Sequence, residues 1–536
     1  VRLSAPQWLV AAASALALYG GATMARIPSA RAIPPGADGR QLMAAAAALD
    51  ALDVEGAAPV IERLAAAYPD DGDVAFHLGM LRFHQGDYAG AASALDRGAP
   101  RWATTRDRAN RESLRALVAS TRDATAAFVE VRSRDGRYVV RHAPGPDAVL
   151  VPYALEALAA ADQALGAALG IRVRSPIRLE VFASPRALAR VSTLTVEDIE
   201  RTGTIALCKW DRLMITSPRA LVRGYPWVDT LAHELAHLLV SRGTGDRTPV
   251  WLQEGIAKYL ERRWRGDHER RAPLDPAQEA LLRRALTDGK LLPFERLHPS
   301  IARLPSQQDA ALAFAQVSTF VESYVESHGD EALRAALHGI RQGQDARDAL
   351  AAAAGTTFDL LESRWRAALR RRPAPAEDAP SLLALRFKRG EGSPDESLDV
   401  AVSMARRHLR IGDLLWDRGR TRAAAVEYAR ARTHAPADPI VASRHARAAL
   451  ESGDAAAAAR TLEDSLRRYP EHAPTRALLG AARLALGDRE GAREHLREAL
   501  RINPFDPRPH CDLATATDDE AERNREESFC RELRRR

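Results

Sequence analysis

Apolar and polar positions in the last third of the chain repeat with a step of 34 residues. Small residues stand at Gly412, Ala446 and Gly480, and large ones at Tyr428, Leu462 and Leu496. Gly419, Gly453 and Gly487 keep the same step, as do Ala424, Ala458 and Ala492, and Pro436, Pro470 and Pro504. A period of this length predicts stacked helix pairs, with a small residue where two helices cross and a proline closing each unit. A weaker unit lies near the other end. Pro69 precedes Gly86 by 17 residues, the offset of Pro436 from Gly453, and Leu78, Gly79, Tyr88, Ala91 and Leu95 occupy the corresponding places. Ala57 and Leu64 read as half of an earlier copy. Residues 36–125 and 401–536 are therefore expected to be helical. A short array cannot bury its apolar faces alone, so the first should dock on the middle of the chain or on the second array.

The middle, residues 126–370, mixes both periodicities. Phe128–Val131 and Tyr138–Arg141 read as a hairpin, Pro152–Leu169 as an Ala-rich helix, and Ile177–Phe182 as an alternating strand; Thr204–Cys208 and Arg212–Thr216 read as two more strands. A helix follows, opened by Pro226 and closed by Gly243, with Leu235, Leu238, Leu239 and Val240 as its packing residues. Thr248 is the expected N-cap of the next helix, with Pro249 at its first position. Residues 371–400 form a linker, rich in Pro, Gly and charge over Arg370–Pro380 and Gly390–Pro394. The expected fold class is thus an α+β domain flanked by all-α repeat helices.

At the N-terminus, Trp8–Ala25 is an uncharged, mostly apolar run preceded by Arg2 and ending in Gly20, Gly21, Ala22 and Ala25. That is the layout of a secretory signal or signal anchor within residues 1–35. No later segment is expected to combine the length and apolarity of a membrane span. The protein is therefore expected to be exported, periplasmic or anchored in the cell envelope. Charge narrows the partners: 77 basic and 71 acidic residues give +6 over 536 residues, with no basic patch interleaved with aromatics, so no nucleic acid is expected. Lysine occurs only at 209, 258, 290 and 388, and with abundant Ala this reads as the coding bias of a GC-rich bacterial genome. Three cysteines make no disulfide scaffold. Cys208 reads as a small core residue, while Cys511 and Cys530 can pair in an oxidising compartment.

The chemistry concentrates between Pro226 and Arg263. In HELAH, His233 and His237 are four apart, so on a helix they project about 40° apart, one turn above the other, and can share one metal ion. Glu234 is close enough to reach a water on that metal. Two histidines leave a catalytic zinc one protein ligand short. The extended metzincin pattern would need Gly at Val240 and His at Gly243, and it is rejected. WLQEGIAKYLERR, from Trp251 to Arg263, resembles the WLxEGxAxY helix of the gluzincin metallopeptidases, with 16 residues between His237 and Glu254. The chain thus resembles a gluzincin-type zinc metallopeptidase with a peptidase MA-like domain and tetratricopeptide repeats.

That resemblance implies a zincin-like fold with a small sheet beside the HExxH helix. Glu254 would be the third ligand of Zn2+ after His233 and His237, and Glu234 the general base in peptide hydrolysis by a zinc-activated water. It also implies a peptide substrate added at the sheet edge, and repeats that bind substrate or partner proteins. Gly255 suggests that the two motif helices approach closely there. Asp229 and Thr230 offer acceptors to an imidazole N–H. The resemblance places a Tyr, as oxyanion donor, where this chain has Phe314; Tyr324, His328 and Tyr225 are the substitutes. The alternative reading is a weak or inactive peptidase-like scaffold in the envelope.

Overall fold

The computed structural model describes residues 36–102, 106–174, 176–266, 274, 276–297, 307–372, 385–388 and 395–535. The expected signal or anchor over residues 1–35, and most of the expected linker, lie outside the described residues. Two antiparallel helix pairs open the fold: α1 (Ala37–Asp50) with α2 (Val54–Ala67), then α3 (Gly72–Gln85) with α4 (Tyr88–Gly98), followed by α5 (Arg106–Thr125). Asp53, Asp71 and Asp87 cap α2, α3 and α4 by accepting from backbone N–H groups of the first turn. A Cβ on Gly79 would stand 2.6 Å from the Leu95 side chain, so the small residue lies where the helices cross, as its register predicts. Ala57 and Leu64 belong to a complete pair, not half of one, because α1 supplies the partner face through Leu42 and Leu49.

The central domain holds β1 (Val129–Arg132), β2 (Tyr138–His142), α6 (Leu150–Leu169), β3 (Ile177–Phe182), α7 (Pro185–Ala189), α8 (Val196–Thr202), β4 (Ala206–Lys209) and β5 (Arg212–Thr216). The strands form one sheet in the order β1-β2-β3-β5-β4; β1 and β4 pair antiparallel with their neighbours, and β4 is an edge. After it come α9 (Trp227–Thr244), α10 (Val250–Leu260), α11 (Pro276–Thr287), α12 (Gln307–Arg341), α13 (Ala346–Ala353) and α14 (Phe358–Arg371). Helix α12 is broken after His328, at Gly329 with φ 77°. Gly245, with φ 62°, closes α9 in place of Gly243. Pro249, not Thr248, occupies the cap position of α10, and the Thr248 hydroxyl donates instead to Thr244.

Leu179, Val181, Leu213 and Ile215 on one face of the sheet join a core with α6, α9, α10 and α12. Phe182, Leu207 and Met214 on the other face join α1–α5 in a second core. Docking of the first array is what lets strand positions on that face be polar and still buried. Glu180 accepts from Tyr88 Oη at 2.6 Å and from Arg212 at 2.7 Å, and both Glu180 and Arg212 are buried. The expectation that no later segment has the length and apolarity of a span is corrected: Pro146–Leu169 passes on both counts. It is nonetheless a core helix, with Leu150, Ala154, Leu158, Ala161 and Leu165 packed under the sheet.

Four further pairs complete the chain: α15 (Ser403–Asp417) with α16 (Thr421–His434), α17 (Pro439–Glu451) with α18 (Ala455–Leu466), α19 (Ala473–Ala485) with α20 (Arg489–Ile502), and α21 (Pro507–Ala516) with α22 (Glu520–Arg534). A Cβ on Gly412 or Gly480 would stand 2.5 Å from Tyr428 or Leu496, the large residues of the same period. Cys511 and Cys530 are joined by a disulfide between α21 and α22. This array also docks on the central domain. Trp227 Nε1 donates to the Leu500 carbonyl at 3.2 Å and Tyr225 N to that of Ile502 at 3.1 Å. Gly224, with φ 73°, is required there, since a Cβ would run into the Ile502 carbonyl. Part of the expected linker is not free: Leu221 and Phe387 form an antiparallel bridge, with Val222 N donating to the Arg386 carbonyl.

Candidate metal centre

Helix α9 crosses the sheet beside β4 and carries His233, Glu234 and His237, all buried. Helix α10 brings Glu254, buried as well, against the same point. The Nε2 atoms of His233 and His237 are 3.2 Å apart, and Glu254 Oε2 lies 3.4 Å from each. A tetrahedral zinc ion, bound at about 2.0–2.1 Å, sets its ligand atoms about 3.3–3.4 Å apart. The three donor atoms therefore stand at the spacing one zinc ion needs, and two imidazoles with one carboxylate are an apt donor set.

Glu234 faces the same space without joining the triangle. One carboxylate oxygen accepts from the backbone N–H of Cys208 on the edge strand. The other, Oε2, is buried with no hydrogen-bond partner among the described residues. Burial pushes its carboxyl up, against the pull of His237 and His233. Burial also opposes charge on Glu254, but His237 and His233 beside it hold it down at about 2.

The acceptor for His233 is a residue that sequence reasoning missed. Its Nδ1 lies 3.3 Å from Glu261 Oε2, and Lys258 Nζ donates to Glu261 Oε1 at 2.6 Å. The signal was present in the chain: Glu261 follows Glu254 by seven residues, two helical turns, and so shares its face. Asp229 and Thr230 do not have the role expected of them. Asp229 accepts from Arg265 Nε at 2.7 Å and from Trp264 Nε1 at 3.3 Å and pairs with Arg262, while the Thr230 hydroxyl donates to the Pro226 carbonyl. Arg265 also grips Glu498 of α20, and Arg262 reaches Glu471, so the second array is tied to the first turn of α9.

Gly255 does mark a close approach, but to α12 and not to α9: a Cβ there would stand 2.7 Å from the Val317 carbonyl. Phe314 is a core residue of α12. The Tyr324 hydroxyl donates to the Leu350 carbonyl at 3.1 Å with its ring against His328. Tyr225 is buried near Glu234, but its hydroxyl donates to the Thr216 carbonyl at 2.5 Å. Neither tyrosine hydroxyl is turned to the metal triangle.

Residues 157–371 match the Peptidase MA superfamily, and residues 42–104 and 449–513 each match a tetratricopeptide repeat family. No curated protein matches the chain. Among solved structures, the first TPR of Spaghetti (RPAP3) bound to an HSP90 peptide is 20% identical, with a TM-score of 0.21 over 22% of this chain and 93% of that one. MamA of Desulfovibrio magneticus RS-1 is 19% identical, with a TM-score of 0.22 over 24% and 76%. The Sgt2 TPR domain of Aspergillus fumigatus is 22% identical, with a TM-score of 0.19 over 26% and 85%. The chain thus carries a peptidase MA-like domain together with tetratricopeptide repeats, which are protein-interaction modules.

Proposed function

We propose that this protein is a zinc-dependent metallopeptidase whose repeats bind substrate or partner proteins. The observation that carries the reading is the triangle of His233, His237 and Glu254, with edges of 3.2–3.4 Å, beside a buried and half-satisfied Glu234. His233, His237 and Glu254 would hold the ion, which when bound supplies Lewis acidity toward an amide carbonyl and an attacking water.

The chain's own groups do the proton work. Cys208 N–H fixes one oxygen of Glu234, leaving Oε2 to take a proton from the attacking water and pass it to the leaving nitrogen. Burial favours the protonated carboxyl between those two steps. The edge strand β4 lies beside this carboxylate, and an extended peptide adding along it would bring its carbonyl toward the point enclosed by His233, His237 and Glu254, with Glu234 alongside. Export to an oxidising compartment, or anchoring in the envelope, belongs to the same proposal, and the Cys511–Cys530 disulfide supports it.

Metal content tests the site first. About one zinc per chain, lost in His237→Ala, is the expected result; absence of stoichiometric zinc after reconstitution would overturn the proposal. The second reading, a catalytically weak scaffold, has one specific observation in its favour. Phe314 stands where the resemblance places an oxyanion donor, and Tyr225 and Tyr324 both spend their hydroxyls on backbone carbonyls. One missing donor of this kind lowers turnover by about 10²- to 10³-fold. Metal binding without detectable hydrolysis would favour it.

A further inference from the structure

Large apolar side chains exposed to solvent are concentrated in one place. Of the ten among the described residues, six lie between Leu398 and Val426, each 37–56% exposed. Three of them, Met404, Ile411 and Leu414, share the outer face of α15 with Arg407; at about 100° per residue the four fall within about 80° of one another, and Arg418, the C-cap of the helix, follows at their end. Ala405, Leu409 and Gly412 occupy the opposite, buried face. Arg410 borders the outer face, and its nearest acid is Asp395 at 3.9 Å. Arg407, Arg418 and Arg420 make no ion pair among the described residues and are exposed.

We propose that this face of α15 docks on an anionic lipid bilayer. The chemistry is apolar side chains ringed by unneutralised arginines, the pattern by which an amphipathic surface inserts among acidic headgroups. Charge decides against a second copy as the occupant. Two such faces brought together would set Arg407, Arg410 and Arg418 against their own kind; among the described residues the acids at the margin are Asp417 and Asp395, and Asp395 already lies toward Arg410. Shape favours a plane: α15 opens its array, and its outer face is the flank of one helix. The apolar run Trp8–Ala25, if retained as the anchor form of that signal, would hold the chain at a membrane.

The test uses the full chain with Leu414→Cys in a Cys208→Ala background, labelled with a polarity-sensitive dye; Cys511 and Cys530 are already bonded to each other. Vesicles of equal parts phosphatidylglycerol and phosphatidylcholine should shift the emission to the blue, and vesicles of phosphatidylcholine alone should not. An N-terminal tether would act equally on both, so the difference reads α15. Adding Arg407→Glu and Arg418→Glu should weaken the response by at least about tenfold. No shift with the anionic vesicles, or an equal shift with both kinds, would overturn the proposal. A shift without vesicles that grows with protein concentration would also overturn it and assign the face to a second copy.

Discussion

His233 Nδ1 and Glu261 Oε2 lie 3.3 Å apart, linking the first imidazole of the candidate metal site to the C-cap of the helix that carries Glu254. Such a partner fixes the ring's orientation and raises the imidazole's basicity as a ligand. Removing it in Glu261→Ala should weaken zinc binding by about 10- to 100-fold, measured by chelator competition. Glu261→Gln, which keeps an acceptor, should lose less. Equal affinity in all three proteins would show that Glu261 does not orient the ligand.

Glu234→Gln separates metal binding from proton transfer. The side chain lies outside the donor triangle, so zinc content should match the unaltered protein, while hydrolysis of a peptide library falls by about 10²- to 10⁴-fold. Unchanged turnover would remove Glu234 from the mechanism.

Zinc binding should release a proton from His233. Burial pushes this imidazole down, but hydrogen bonds and charge from Glu254 and Glu261 outweigh it and hold the group at about 10. The metal-free protein therefore keeps the proton at neutral pH, and the ion must displace it. Glu254, held down at about 2, is already a carboxylate and releases none. Apparent affinity should thus rise by about tenfold per pH unit up to about 10. Calorimetry at pH 7 in two buffers of different ionisation heat measures the release; identical heats would contradict it.

Gly255→Ala tests the contact between α10 and α12. The new Cβ would meet the Val317 carbonyl at 2.7 Å, a backbone atom that cannot rotate away. A loss of about 1–3 kcal/mol is expected, seen as a lower melting temperature, with weaker zinc retention because Glu254 is the neighbouring residue. An unaltered melting temperature would mean that the helices separate at no cost.

Local rules made most of this legible. The 34-residue period predicted both the helix pairs and their crossings, because a crossing needs a small residue at a fixed phase wherever the array continues; Gly412 against Tyr428 shows it. His233 and His237 share one helix, so four-residue spacing alone brings them together. Boundaries were read less well. Gly243 and Gly245 are equally good stop signals in a string of letters, and only the left-handed conformation of Gly245 distinguishes them. Asp229 looked like a partner for an imidazole because it lies one turn away, but Arg262 and Arg265 from a later segment claim it.

By itself the sequence determined the residue types of the candidate metal site, their phase on two helices and the repeat arrays at either end. Each of these is a periodicity, and periodicity is a property of consecutive residues. Only the tertiary structure decided that Glu254 meets the two histidines, that Cys208 N–H holds Glu234, and that Glu180 and Arg212 are buried beneath the first array. It also decided that the second array grips the start of α9 through Glu498 and Leu500. These contacts join residues whose separation along the chain carries no phase, so they are fixed by what the packed faces leave within reach.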